Sequence, residues 1–285
     1  MTLIRESISY GKNLQYKAYT ARLEGLKGAS PAVIVLQEIW GVDEHIQSVV
    51  DRLAAAGYVA FAPELFTEDG SYLPGLSQQR IAEAKSFLNT LPPSEWRKEE
   101  VRKPELAKRP IEEAAAIEDT LSRIFNLSDL RPTFIAKVIE AAEFLRKVYS
   151  PTAGQGIASV GFCLGGALSA ELAAADSELR GAVLFYGGLP DGDKVKDIEA
   201  PLLGFYGELD ERITSAVPAF AEEVTSLGKS FEYHVYSEAQ HAFFNDTRPS
   251  YQAAAARDAF ARTLGFLNQV LNNKSISDKK IKYKY

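Results

Sequence analysis

The sequence predicts a doubly wound, mostly parallel α/β fold with helices on both faces of the sheet. Three observations carry that reading. Short runs rich in β-branched and aromatic residues recur along the chain, stretches with apolar residues at helical spacing alternate with them, and the early runs at 32–37 and 58–62 are continuously apolar rather than alternating with polar residues. A strand that is apolar throughout is one buried on both faces, as parallel strands under two helical layers are.

Taken in order, segments 5–10 and 14–20 flank Gly11-Lys12-Asn13 and read as an antiparallel hairpin at the sheet edge. Residues 32–37 (AVIVLQ) form the first buried strand. Ile46, Val49, Val50 and Leu53 then recur at helical spacing within a helix over 43–56, which Gly57 closes. Residues 58–62 (YVAFA) are the next buried strand, stopped by Pro63. Phe134, Val138, Leu145 and Val148 mark a further helix. Strands are expected at 157–162, 182–186, 202–206 and 231–236. Helices are expected at 164–175, 216–227 (Val217, Phe220, Val224, Leu227) and 250–272 (Phe260, Leu264, Leu267, Leu271). Reactive groups of such a sheet belong on the loops at the C-terminal strand ends.

Two stretches break this rhythm within what otherwise reads as one α/β domain over 1–273. Residues 67–131 form a long helical insertion, and half of Ser94–Arg123 is charged. It reads as a solvated helical excursion, or else as a lid or an oligomer contact near the substrate. Residues 274–285 (KSISDKKIKYKY) read as a solvated basic tail. The bulk composition narrows the function. In 285 residues, 32 Lys and Arg stand against 38 Asp and Glu, a net charge of −6 with no basic stripe, so no nucleic acid partner is expected. One cysteine excludes an internal disulfide. Three scattered histidines and that cysteine offer no ligand cluster, and no phosphate-binding glycine motif occurs, so neither a metal nor a cofactor is expected. The N-terminal MTLIRESISYGKN has no apolar core of a secretory signal, and no apolar run is long enough for a membrane span; the cytoplasm is the expected compartment.

The informative pentapeptide is Gly161-Phe162-Cys163-Leu164-Gly165, between the strand IASV and the apolar helix ALSAELAAA. Glycines on both sides of a nucleophile at a strand-to-helix junction permit a strained turn that lifts the side chain above the sheet. A cysteine there is assisted by the helix N-terminus, which favours a thiolate. An ordinary buried core cysteine is the alternative, and the flanking glycines argue against it. Where such an elbow occurs, an acid and then a histidine follow in chain order. Asp210, just past the strand LLGFY, and His241, just past FEYHVY, fit that order and position. Glu208 and Glu211 compete with Asp210 for the acid role, whereas His45 sits in a helix and His234 inside a strand.

Four segments, QEIWG (37–41), GFCLGG (161–166), FYGELDERI (205–213) and QHAFFND (240–246), resemble the signature regions of the dienelactone hydrolase family, carboxymethylenebutenolidase-like members of the α/β-hydrolase superfamily. The similarity runs in order over most of the chain and is weakest in the insertion and the tail. The resemblance implies an α/β-hydrolase fold and hydrolysis of small lactones or esters by Cys163, His241 and Asp210 without a cofactor. It implies that Glu38 faces the thiol and holds the resting nucleophile, and that the backbone amides of Ile39 and Leu164 form the oxyanion hole. One departure stands out. Lactone-cleaving members carry an arginine four residues past the catalytic histidine to grip a substrate carboxylate, and this chain has Asn245 there. Arg248 and Arg80 are the replacements the sequence offers, while Trp40, Tyr186, Phe243 and Phe244 suggest an aromatic-lined pocket. A thioesterase or general carboxylesterase on the same scaffold, and a non-catalytic small-molecule-binding module, are the rival readings; the oligomeric state is open.

Overall fold

The computed structural model describes residues 2–92, 95–190 and 192–272, so the expected basic tail lies outside the described residues. In chain order the elements are β1 (Leu3–Tyr10), β2 (Tyr16–Leu23), β3 (Ala32–Leu36), α1 (Glu44–Ala55), β4 (Val59–Pro63), β5 (Thr67–Glu68), β6 (Ser71–Tyr72), α2 (Gln78–Leu88), α3 (Glu99–Leu106), α4 (Ile111–Phe125) and α5 (Arg131–Lys147). They continue as β7 (Ile157–Phe162), α6 (Leu164–Ala175), β8 (Ala182–Phe185), α7 (Gly192–Val195), β9 (Leu202–Gly207), α8 (Glu211–Thr214), α9 (Val217–Ser226), β10 (Phe231–Tyr236) and α10 (Ala253–Leu271).

An eight-stranded sheet runs in the order β1-β2-β4-β3-β7-β8-β9-β10. β1 pairs antiparallel with β2 and β2 with β4, and every pairing from β4 through β10 is parallel. The pleat of β3 explains its unbroken apolar run. Ala32, Ile34 and Leu36 enter one hydrophobic core while Val33 and Val35 enter the other. α5, α6 and α9 cover the first face, and α1 and α10 the second. The sheet is thus the α/β-hydrolase-type doubly wound layer the sequence predicts. Two residues assigned to helix faces are exceptions. Val148 and Leu227 fall at the C-caps of α5 and α9 and are exposed, because the apolar periodicity continues one residue past the last helical turn.

The insertion corrects the expectation of a solvated excursion. It opens with the two-stranded hairpin β5–β6, and then Ile81, Phe87, Leu106, Ile117, Leu121 and Ile124 join the same core as α5 and α6. Its many charges are spent along the outside in pairs such as Lys98–Glu95, Lys108–Glu105 and Arg123–Asp119, spaced three or four residues apart, which leaves an apolar stripe facing inward. No helix among the described residues is long and apolar enough to cross a membrane.

Candidate active site

The C-terminal ends of β3, β7, β8, β9 and β10 lie side by side, and each delivers one or more of the expected residues. Leu36 pairs with Gly161, Phe162 with Phe185, and Phe185 with Phe205, so the loops that follow these strands open on one edge of the sheet.

Cys163 is the single residue between β7 and α6, and its backbone adopts φ +53 with ψ −111. A non-glycine residue there stores on the order of 1–3 kcal/mol of strain. The turn is held by Cys163 N donating to Phe185 O at 3.0 Å and by Gly166 N donating to Cys163 O at 3.0 Å. The flanking glycines are required by close approach. A Cβ on Gly161 would lie 1.9 Å from Gly165 O, and one on Gly165 would lie 2.2 Å from Leu36 O. The partly exposed thiol therefore sits at the N-terminus of a 12-residue helix, whose partial positive charge favours a sulfur anion. Leu164 is the first residue of that helix, so its amide has no acceptor inside α6. Gly165 N donates to Gln37 O at 2.9 Å and ties the start of the helix to the loop carrying Ile39.

His241 Nδ1 and Asp210 Oδ2 are 2.5 Å apart, with the imidazole side chain 34% exposed and the carboxylate 8%. A buried carboxylate on one ring nitrogen fixes the tautomer and leaves the other nitrogen free. Burial by itself depresses the imidazolium. The negative charge the Cys163 sulfur carries whenever it is ionised, and the interactions of the ring with Asp210 and Cys163, outweigh it, and the His241 pKa rises to about 10. Sulfur, ring and carboxylate are thus one electrostatic unit. The rival acids are elsewhere. Glu208 accepts from Ser237 Oγ and Glu238 N at the surface, and Glu211 is exposed in the first turn of α8.

Glu38 is buried, and both carboxylate oxygens are taken by neutral donors. Tyr186 OH donates to Oε1 at 3.1 Å and Asn245 Nδ2 donates to Oε2 at 2.9 Å. The orientation of the Asn245 amide follows from its other side, where Thr247 N and Thr247 Oγ1 donate to Oδ1 at 3.0 and 2.7 Å. A backbone N–H can only donate, so the NH2 group faces Glu38. The residue that replaces the expected arginine is therefore the partner of Glu38, a role sequence reasoning missed. Its position four residues past His241, on the same loop, was the available signal. Burial, then the charge and hydrogen bond of Glu38, raise the Tyr186 hydroxyl well above its ordinary range, so it stays a donor. The Tyr186 ring packs edge-on against His241 with centroids 5.0 Å apart.

The expected aromatic-lined pocket needs correction. Phe243 has no exposed surface and packs behind Tyr186 and against Tyr236, with centroids 5.6 and 5.2 Å away, inside the second core. Phe244 is likewise core. Both are carried inward because the loop after β10 folds back onto the sheet through Gln252 N, which donates to Phe243 O. Trp40 is 3% exposed and is covered by Trp96, Lys85 and Arg248. Arg80 is bound to Thr120, Ala116 and Asp119 within the insertion. Arg248 lies over Trp40 and Trp96, and its buried Nε has no partner among the described residues.

Residues 17–271 match the sequence model of the Dienelactone hydrolase family. A protein of Saccharolobus solfataricus named “Putative carboxymethylenebutenolidase” is 32% identical over 240 residues, which cover 84% of this chain and 89% of that one. A crystal structure from Klebsiella pneumoniae subsp. pneumoniae, described as “Putative Dienelactone Hydrolase”, shares 27% identity at a TM-score of 0.71 and covers 94% of this chain and 100% of that one. The dienelactone hydrolase structure from Anabaena variabilis, at 13% identity and a TM-score of 0.60, covers 95% of this chain and 98% of its own and shares the fold.

Proposed function

This chain belongs to the dienelactone hydrolase family and is a carboxylic ester hydrolase, and from that premise we propose that it opens small lactones and cleaves small esters with Cys163 as nucleophile. The observation that carries the proposal is the His241–Asp210 pair beside a cysteine held at positive φ on a helix N-terminus. In the proposed cycle the Cys163 thiolate attacks the acyl carbon, and the amides of Leu164 and Ile39 receive the negative charge that develops on the carbonyl oxygen. The acyl C–O bond breaks, the departing alkoxide takes the His241 proton, and a thioester remains on sulfur. Water, deprotonated by the now neutral imidazole, attacks the thioester; the acid leaves and the thiolate returns.

Glu38 has a distinct part in this reading. Glu38 lies on the loop that Gly165 N ties to the start of the nucleophile helix, and in this proposal its buried carboxylate faces the thiol, where it disfavours a second negative charge and shields the sulfur from oxidation. With an ester the thiol proton passes to His241 and from there to the departing alkoxide; with a lactone Glu38 takes it instead, the tethered alkoxide collects it as the ring opens, and His241, neutral throughout that step, deprotonates the water and then returns a proton to the thiolate. Asn245, spent on Glu38, has no charge to offer a substrate carboxylate. A panel of p-nitrophenyl esters, acyl thioesters and unsaturated lactones, ranked by kcat/KM, tests the substrate class. Titration with iodoacetamide tests the chemistry, because the chain has one cysteine. Activity is expected to fall in proportion to alkylation. Full alkylation with activity retained would overturn the proposal.

A further inference from the structure

The insertion sends one side chain against Trp40, two residues past Glu38. Trp96, between α2 and α3, meets the Trp40 ring edge-on with centroids 5.9 Å apart, and the Arg248 guanidinium lies 4.6 Å from the Trp96 ring centre and 5.6 Å from that of Trp40. Three separate segments therefore converge. One follows β3 and carries Glu38, Ile39 and Trp40; one follows His241 and carries Asn245 and Arg248; the third is the insertion. Trp96 is held in place from behind. Its Nε1 donates to Leu91 O at 3.2 Å, and its carbonyl accepts from Arg102 Nη1 at 3.0 Å. Arg102 is buried and ion-paired with Glu118 of α4, at 3.2 Å. The indole is thus braced on a helix that is itself part of the main core.

We propose that Trp96, with Arg248 stacked on it, is the wall that limits how large a substrate Cys163 can accept, making it a specificity-determining residue supplied by the insertion. The placement follows from Trp40. That residue directly succeeds Ile39, whose amide is assigned to the oxyanion, and it is almost fully buried because Trp96 and Arg248 cover it. Ile39, Leu164 and Trp96 also pack against the same core as Trp40. On this proposal, a group extending from an acyl carbon held at Ile39 and Leu164 toward Trp40 runs into the indole and the guanidinium that cover Trp40. The contact of a cation with two indoles stiffens the wall, since such contacts strengthen as they are desolvated.

This size limit concerns the same site as the proposed hydrolysis and rests on that reading, so one readout is chosen that needs no turnover. The single thiol is alkylated with iodoacetamide and, separately, with a fluorescein maleimide, in the parent, in Trp96→Ala and in Trp96→Leu. In Trp96→Ala the bulky-to-small rate ratio is expected to rise about tenfold or more, the discrimination a pocket wall provides against one added methylene. Trp96→Leu, which keeps apolar bulk but not the reach of the ring, is expected to fall between. The ratio of kcat/KM for p-nitrophenyl octanoate over acetate should move the same way. If Trp96→Ala does not melt cooperatively, Trp96→Leu decides. Rate ratios equal to the parent's in a folded variant overturn the proposal. A parent that alkylates at Cys163 but hydrolyses no ester overturns the hydrolytic reading instead, and the alkylation ratio still decides the wall.

Discussion

Two histidine–aspartate pairs occur among the described residues, and they differ in every respect that matters for chemistry. His241 and Asp210 are 2.5 Å apart, with the imidazole one-third exposed over a buried carboxylate. His45 and Asp246 are 3.4 Å apart with the exposures reversed, 0% for the ring and 44% for the carboxylate. The His45 ring is wedged edge-on between Phe162 and Phe244, and its Nε2 is buried with no partner among the described residues. A buried carboxylate keeps its charge concentrated on the ring it faces, while an exposed one is screened by water. The free nitrogen of His241 has Cys163 to serve; that of His45 has only phenylalanines. The residue pair is therefore uninformative on its own, and what lies at the unpaired nitrogen decides.

The largest expected effects break the first pair. Cys163→Ala should abolish hydrolysis while moving the thermal midpoint little, because the partly exposed thiol fills little of the core and the alanine inherits the same strained backbone. A cooperative variant that retains most of its activity would remove Cys163 from the mechanism. His241→Gln and Asp210→Asn should each lower kcat by about 10^4, the scale on which losing a base or its orienting carboxylate acts. His45→Gln should cost less than about tenfold in kcat/KM, with its penalty appearing in stability because the ring packs in the core. Equal losses for the two histidines would erase the distinction.

The sequence carries the first pair far better than its surroundings, for a physical reason. The elbow is legible because its constraints are local: Gly161 and Gly165 are required by atoms within the same turn and by the adjacent strand β3. Asp210 and His241 are legible because strand ends are, and the apolar runs show where the strands stop. Asn245 is different. Its hydrogen bond to Glu38 spans 207 residues of chain, and the one signal in sequence, its place four residues past His241, does not name that partner. Trp96 likewise reads as one aromatic in a charged stretch until the fold brings it to Trp40. The insertion was misread because charge content was taken as solvation, whereas the charges pair along the helices and leave Ile117, Leu121 and Ile124 facing inward.

Two buried carboxylates extend the comparison. Glu38 has donors on both oxygens, whereas Glu64 leaves Oε1 without a partner among the described residues, and burial pushes its pKa up from 4.5 to about 7 despite bonds from Val42, Gln78 and Phe66. Glu38→Gln should raise the rate of iodoacetamide alkylation at neutral pH several-fold and lower turnover by about 10^2, since the proton acceptor is lost. An alkylation rate equal to the parent's from about pH 5 to 9 would sink the thiol-guarding role. For Glu64 the effect is on stability. The folded state retains a proton that the unfolded chain releases, so stability falls as pH rises from 4.5 to about 7 and is level above that. The loss is on the order of 3 kcal/mol, and Glu64→Gln should remove it, which urea midpoints on either side of that interval would show. A parent whose midpoint is flat across the interval contradicts the uncompensated burial of Glu64.

The smallest expected effect belongs to the second histidine pair, and it is the most discriminating. Asp246 directly follows Asn245, so a substitution there touches the loop that holds Glu38, yet its carboxylate faces solvent and reaches His45 only at 3.4 Å. A contact that long with a half-exposed acid is worth less than about 1 kcal/mol. Asp246→Asn keeps the shape and removes the charge. If the pair is packing, kcat/KM should stay within about twofold of the parent and its pH profile should not move, because nothing in the cycle passes through His45. If His45 instead tunes the elbow through Phe162, which immediately precedes Cys163 and stacks against Phe185 and Phe244, the charge loss should shift the pH dependence of alkylation at the only cysteine. The two outcomes separate cleanly in a single titration. A shifted alkylation profile in Asp246→Asn would make the second pair part of the machinery and end the contrast between them.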